Sequence, residues 1–194
     1  MVLRLRRHAA ALCVATAAVF AVMTMLEFLY FRSLSGGLPS LDLRFLGFSE
    51  SEGFAWIAAM GRPGAEIMLV WHYLTFDLVF PALLSATLVS LMLKSGERLK
   101  RFSSLSETMR SVTALTLVLP YMISDYAQNL VVARILSDPI SAGSRSMSLA
   151  SALIVTKFAL LAVPIAVIAA FVLAGLRNSS PNGKAAVRDP KRSA

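Results

Sequence analysis

The chain has 194 residues, of which 57% are hydrophobic and 15% charged, with a mean hydropathy of +0.69 and a formal net charge of +8. That is too apolar for a soluble globular domain. The 19 Lys and Arg, against 11 Asp and Glu, gather beside apolar runs, so the basic excess reads as membrane topology and excludes a nucleic-acid footprint.

A membrane-crossing helix needs about 20 mostly apolar residues, and four stretches meet that requirement. The first runs from about Ala9 to Phe31, behind Arg4, Arg6 and Arg7. A basic start before an alanine-rich run also describes a signal peptide, but this run is longer than an h-region and has no small-residue cleavage signal before Glu27. It is therefore expected to remain as a helix. It contains Cys13, the one cysteine of the chain, so no internal disulfide can form.

The loop over residues 32–66 is too long for a bare connector. Within it, Ser49-Glu50-Ser51-Glu52 is a capping-box pattern that predicts a short helix over about 50–60, closed by Gly61 and followed by the breaker Arg62-Pro63-Gly64. Phe54, Trp56, Ile57 and Met60 make this helix amphipathic, suited to cap the bundle at the outer interface. The second span is expected from about Ile67 to Leu93, the third from about Ser111 to Ile135 and the fourth from about Ser148 to Leu176. None alternates like a barrel strand. Residues 1–177 thus read as one all-α domain, a polytopic membrane protein built as a four-transmembrane-helix bundle, and residues 178–194 as a disordered basic tail.

Orientation follows from the basic residues. Arg4, Arg6 and Arg7 precede the first span; Lys94, Arg98, Lys100, Arg101 and Arg110 lie between the second and third; Arg177, Lys184, Arg188, Lys191 and Arg192 follow the fourth. The two remaining loops carry fewer, which predicts both termini on the cytoplasmic side.

With that orientation, Glu27, Asp77, Asp125 and Lys157, from four different spans, fall roughly 3 to 11 Å outward of the midplane at about 1.5 Å per residue. His72, Gln128 and Asn129 lie further out, whereas the inner halves hold nothing more polar than Ser and Thr. Ionisable groups in a membrane are costly and turn toward partners, so a shared polar chamber open toward the outer leaflet is expected. Tyr121, Asp125, Gln128 and Asn129 share one helical stripe, and Tyr73 and Asp77 share a face by the i, i+4 rule. His72 is expected to point away, because five residues of α-helix turn it about 140° from Asp77. Asp77 and Asp125 are the candidate catalytic acids, with Tyr73, Tyr121, Gln128, Asn129, Lys157, His72 and Glu27 as ligand-binding candidates. Glu27 also reads as a boundary residue that snorkels, and Asp with Asn as glue between helices. Alanine stripes, Ala11, Ala15 and Ala18 on the first span and Ala159, Ala162, Ala166 and Ala169 on the fourth, predict contact between helices.

No cofactor or metal motif is present: there is no phosphate loop, no nucleophile elbow and no pair of histidines at metal spacing. His8 and His72 make a metal site only if several carboxylates join them. The strings Leu41-Asp42-Leu43-Arg44 with Gly47, Asp77-x-x-Phe80-Pro81 and Asp125-x-x-x-Asn129 resemble those of small four-helix bacterial membrane proteins with no assigned activity. The resemblance covers about the first two-thirds of the chain and implies this architecture and a bacterial cytoplasmic membrane. More distantly, four spans with intramembrane acids are similar to the emopamil-binding-protein-like sterol isomerases, an analogy that carries no catalytic residue over. Three functions follow: a site for a lipid-like amphiphile entering from the outer leaflet, an accessory subunit in a homo- or hetero-oligomer, and a proton- or ion-coupled pathway. The third would need polar residues continuing inward. The expected partners are membrane lipids, and no nucleic acid.

Overall fold

Apolar composition with few breakers drives the chain into helix almost throughout. The computed structural model describes residues 5–178, and among them there is no strand. The expected tail over 178–194 lies outside the described residues, apart from the helical backbone of Asn178, as does Arg4. Five helical elements follow in order: α1 (Arg6–Leu34), α2 (Glu50–Gly96), the short α3 (Lys100–Ser103), α4 (Glu107–Ser137) and α5 (Ser144–Asn178). A 3-10 turn, Leu41–Leu43, interrupts the loop between α1 and α2.

Among the described residues, α1, α2 and α5 are long and apolar enough to cross a membrane. The third expected span is a helix of 31 residues, α4, but it is not among those three. Its buried stripe of Tyr121, Asp125, Gln128 and Asn129 lowers its hydropathy. Packing accounts for the difference: α4 lies between α2 and α5 and contacts both, while α1 runs along α2. The face of α4 turned to those neighbours carries the polar stripe, while Val112, Ile123 and Leu130 on its other face are exposed.

α2 is not a single straight rod. Ser49 caps it as expected, its Oγ accepting from the Glu52 N–H at 3.3 Å while the Glu52 carboxylate accepts from the Ser49 N–H at 2.7 Å. The first segment buries Trp56, Ile57 and Met60 and leaves Phe54 partly exposed, as a helix capping the bundle should. At Gly61 the backbone turns to φ 59°, ψ −175°, a conformation that only glycine occupies without strain. The chain resumes through Pro63 and enters a π-helical stretch, Leu69–Phe76, before returning to α geometry over Asp77–Gly96. A second π turn, Glu27–Phe31, interrupts α1 before its last residues, Arg32–Leu34.

Two apolar clusters hold the helices together. One contains Phe31, Leu41, Trp56, Val132, Met147 and Ile154; the other contains Leu88, Met92, Ala114 and Val118. Along α2, α4 and α5 the polar positions Asp77, Tyr121 to Asn129, and Lys157 fall between residues of these two clusters, so they form a layer enclosed by apolar packing on either side. Beyond that layer, toward the other end, Thr16 bonds Thr87 at 2.7 Å, Ser90 donates to the Leu5 carbonyl at 2.7 Å, and Arg6 pairs with Glu97.

The alanine stripes do not make the expected contacts. Ala11, Ala15 and Ala18 on α1, and Ala159, Ala162, Ala166 and Ala169 on α5, are all exposed. The faces that turn inward are those bearing Thr16 and Lys157, because an unpaired polar group has more to lose against lipid than a methyl group has to gain from close packing.

Gly61 supplies the bend that lets the Trp56 segment fold over the bundle. Gly61→Ala is expected to cost about 1–3 kcal/mol, read as a lowered Tm of the detergent-solubilised protein. An unchanged Tm would show that the bend does not need a glycine.

Candidate functional site

The polar layer is organised around the Lys157 ammonium, whose side chain is only 9% exposed. A lysine has three N–H donors, and here each has an acceptor: Asp42 Oδ1 at 2.8 Å, Asp125 Oδ1 at 3.0 Å and Gln128 Oε1 at 2.5 Å. Asp125 is held on its other oxygen by the Tyr121 hydroxyl at 2.8 Å, the i, i+4 contact expected on that stripe. Asp125 therefore has both oxygens occupied and serves as a counter-ion.

Asp42 was not among the sequence candidates, and it is the residue on which the layer converges. It stands in the Leu41–Leu43 turn, where Leu41 is fully buried and draws the acidic residue beside it inward. Its Oδ1 accepts from Lys157, and its Oδ2 accepts from the Tyr73 hydroxyl at 2.6 Å. The signal that could have found it is an acid between two leucines in a loop otherwise rich in Ser and Gly. Burial acts to raise the Asp42 carboxyl, but the Lys157 charge and then His72 outweigh it and hold the group well below the usual carboxylate range.

Several contacts fix the loop that delivers Asp42. Glu27 accepts from the Ser40 N–H at 3.0 Å and from the Ser40 hydroxyl at 2.7 Å, and Arg32 lies 3.6 Å from the same carboxylate. Glu27 is buried and anchors the turn; it neither snorkels nor bonds the other candidates. On the far side of the loop, Ser151 Oγ accepts from the Phe48 N–H and donates to the Phe48 carbonyl, both at 2.8 Å. Gly47, at φ 88°, sits so close that a Cβ would lie 2.8 Å from that Ser151 hydroxyl.

The geometry of α2 overturns the expectation for His72. In the π-helical stretch the Asp77 N–H bonds to the His72 carbonyl, an i→i+5 connection that brings side chains five apart onto one side. His72 Nε2 consequently lies 3.3 Å from Asp77 Oδ2 and 3.4 Å from Asp42 Oδ2, with Phe31 and Tyr73 edge-on to the imidazole. Both His72 and Asp77 are buried. Among the described residues neither imidazole nitrogen takes part in a hydrogen bond, and neither does Asp77 Oδ2. Buried polar atoms are almost always bonded, so these three atoms stand out, together with Gln128 Nε2, Asn129 Oδ1 and Ser124 Oγ of the same layer.

Asn129 is buried in the same layer but works on the backbone. Pro81 has no N–H to give the Asp77 carbonyl four residues before it, and Asn129 Nδ2 donates to that carbonyl at 3.0 Å instead. Tyr126 donates to the next carbonyl, that of Leu78, at 2.8 Å. The structure thus gathers Tyr73, His72, Asp77, Tyr121, Asp125, Gln128, Asn129 and Lys157 into one layer, adds Asp42, and leaves Glu27 as its support.

Two outcomes follow. Lys157→Met strands the Asp42 and Asp125 carboxylates and is expected to cost about 3–5 kcal/mol, more than Asp42→Asn, when both are compared by thermal melting. Because the folded-state value of Asp42 is depressed, its stabilising contribution is complete above the unfolded value of 3.8 and is lost as pH falls through the folded value. Wild-type Tm should therefore fall on acidification below about pH 4, and Asp42→Asn should flatten that fall. A parallel acid profile in the variant would show that Asp42 is not the group responsible. No family model, curated protein or solved structure matches the chain, which leaves the chemistry of this layer to its own atoms.

Proposed function

We propose that the chain is a four-helix bundle of the bacterial cytoplasmic membrane, with both termini inside, that uses the outer-side polar layer to bind the polar head of a lipid-like amphiphile. The observation that carries this reading is the His72–Asp77 pair, buried and without hydrogen bonds beside a layer whose other charged groups are well partnered. At about 1.5 Å per residue α4 is about 46 Å long, enough to cross the hydrocarbon as a fourth span despite its polar stripe.

A cleft of about 490 Å³ supports the choice of ligand. It lies between the bend of α2 and the end of α4, walled by Ile57, Leu69, Leu136 and Ile140, with the Arg62–Glu66 ion pair at its edge. Apolar walls with a charged rim suit an acyl or isoprenoid chain carrying a polar group. The residues of the polar layer do not line this cleft; Leu69, which does, opens the π-helical stretch that carries His72. Within the layer, Asp77 is the group that exchanges a proton with the ligand or accepts a hydrogen bond from it. Asp125 and Gln128 hold Lys157, and Tyr73 and Tyr121 orient the two carboxylates they touch.

The accessory-subunit reading draws support from a different observation. Asn129, Tyr126 and Lys157 spend their donors on holding helices together, which a protein that only packs against partners would also require. An ion-coupled pathway has less behind it, since toward the predicted cytoplasmic end the buried polar side chains are Ser and Thr.

Asp77→Asn separates these roles. It should leave expression and Tm close to wild type while abolishing a lipid species that co-purifies with the wild type in native mass spectrometry. Failure of wild type to carry any recurrent lipid, or collapse of Asp77→Asn with rescue by Asp77→Leu, would favour packing alone. Topology is read separately by labelling in a Cys13→Ser background. Ser141→Cys should react with an impermeant thiol reagent added outside intact cells, and Ser104→Cys only after lysis; the reverse pattern would invert the orientation.

A further inference from the structure

We propose that Asp42, His72 and Asp77 form a binding site for a divalent transition-metal ion of the zinc type, held by Asp42 Oδ2, His72 Nε2 and Asp77 Oδ2. One ligand atom from each residue lies within 4.8 Å of the other two. The separations from Nε2 are 3.4 Å to Asp42 Oδ2 and 3.3 Å to Asp77 Oδ2. Tetrahedral coordination with bonds of about 2.0–2.1 Å sets neighbouring ligands about 3.3–3.4 Å apart, which the two edges to the imidazole match, while the edge between the carboxylates lies within 4.8 Å. Magnesium and calcium are hard cations that take oxygen ligands, whereas this site offers an imidazole nitrogen. The donor set of one nitrogen and two carboxylate oxygens suits zinc and its neighbours in the first transition row.

Three further features fit a cation here. Two carboxylates neutralise a divalent charge, and neither takes more than one other cationic partner. Asp42 is fixed by Tyr73 on the ligating oxygen and by Lys157 on the other, the kind of outer support that orients metal ligands. Asp77 Oδ2 and both His72 nitrogens have no hydrogen-bond partner in the protein, which a metal on Nε2 and Oδ2 explains for two of those three atoms. His72 Nδ1 would then carry the ring proton. With three protein ligands the fourth tetrahedral position is open to water or to a ligand head group.

The site draws its ligands from a loop turn, from the middle of one π-helical stretch and from the residue that closes that stretch. Straight α-helix would separate His72 from Asp77, and without the loop the third ligand would be missing. This inference goes beyond the amphiphile reading and does not depend on it: metal bound without lipid, or lipid without metal, would each leave one standing.

The test uses the full chain, purified in detergent without chelator, then stripped and titrated with Zn2+ and separately with Co2+. Wild type is expected to bind one equivalent per chain, to gain Tm with Zn2+, and to show the intense visible bands of tetrahedral cobalt. His72→Ala and Asp77→Asn should weaken binding at least tenfold, while Glu107→Gln, an exposed acid at the start of α4, should bind as wild type does. No stoichiometric binding by wild type would overturn the proposal and leave His72 as an imidazolium between two carboxylates. Binding that survives His72→Ala and Asp77→Asn would overturn it by placing the metal elsewhere. If either variant does not fold, the cobalt spectrum of wild type still decides, because a spectrum of octahedral form excludes this site.

Discussion

A buried ammonium is the constraint on which this architecture rests. Lys157 stands on α5 between two apolar clusters, where an unpaired charge would cost several kcal/mol, and it is tolerated because three acceptors meet it. Those acceptors come from α4 and from the loop after α1, so one charge ties together three parts of the chain. Satisfying it requires the loop to descend into the bundle, and that descent is what makes Leu41 a core residue. Glu27 and Ser40 brace the entry of the loop and Ser151 its exit, which converts a segment of 35 expected loop residues into part of the folded core.

Backbone irregularity does the complementary work on α2. A π-helical stretch and a proline would each leave polar backbone atoms exposed to a low-dielectric interior, where every unmet group is costly. Asn129 and Tyr126 reach across from α4 to the carbonyls near Pro81, and this is why the irregularity can be kept. What the irregularity provides is the alignment of His72 with Asp77. π-helical turns are often found where a helix has to present an extra side chain to a functional site, and here the π stretch presents His72 and Tyr73 to the Asp42 carboxylate.

The two ends of the layer differ in chemical character. At one end Lys157, Asp125, Tyr121 and the Gln128 carbonyl oxygen form a set in which the charges are matched and all three ammonium donors are used, although Gln128 Nε2 has no partner among the described residues. At the other, His72 and Asp77 have lone pairs and a ring proton with no protein partner. A layer that served packing alone would gain from completing both ends, since a partly satisfied polar network is less stable than an apolar one. The two ends differ in how their charges are met: Lys157 has three acceptors, whereas His72 and Asp77 face each other without a hydrogen bond.

Much of this was legible in the sequence. Apolar run lengths gave the helices, the Ser49–Glu52 capping box gave the start of α2, Gly61 gave its bend, and the spacing of Tyr121, Asp125, Gln128 and Asn129 gave the polar face of α4. All of these are local signals, set by periodicity or by residues within four positions of one another. Only the tertiary structure could decide that Asp42 meets Lys157 across 115 residues, that His72 faces Asp77, and that the alanine stripes lie outside the contacts. The first depends on loop docking that no local pattern encodes, and the second on a π stretch whose i→i+5 bonding departs from the 3.6-residue period assumed in reading a helix. The third depends on which faces carry the groups that most need partners, a comparison among helices that exists only once they are packed.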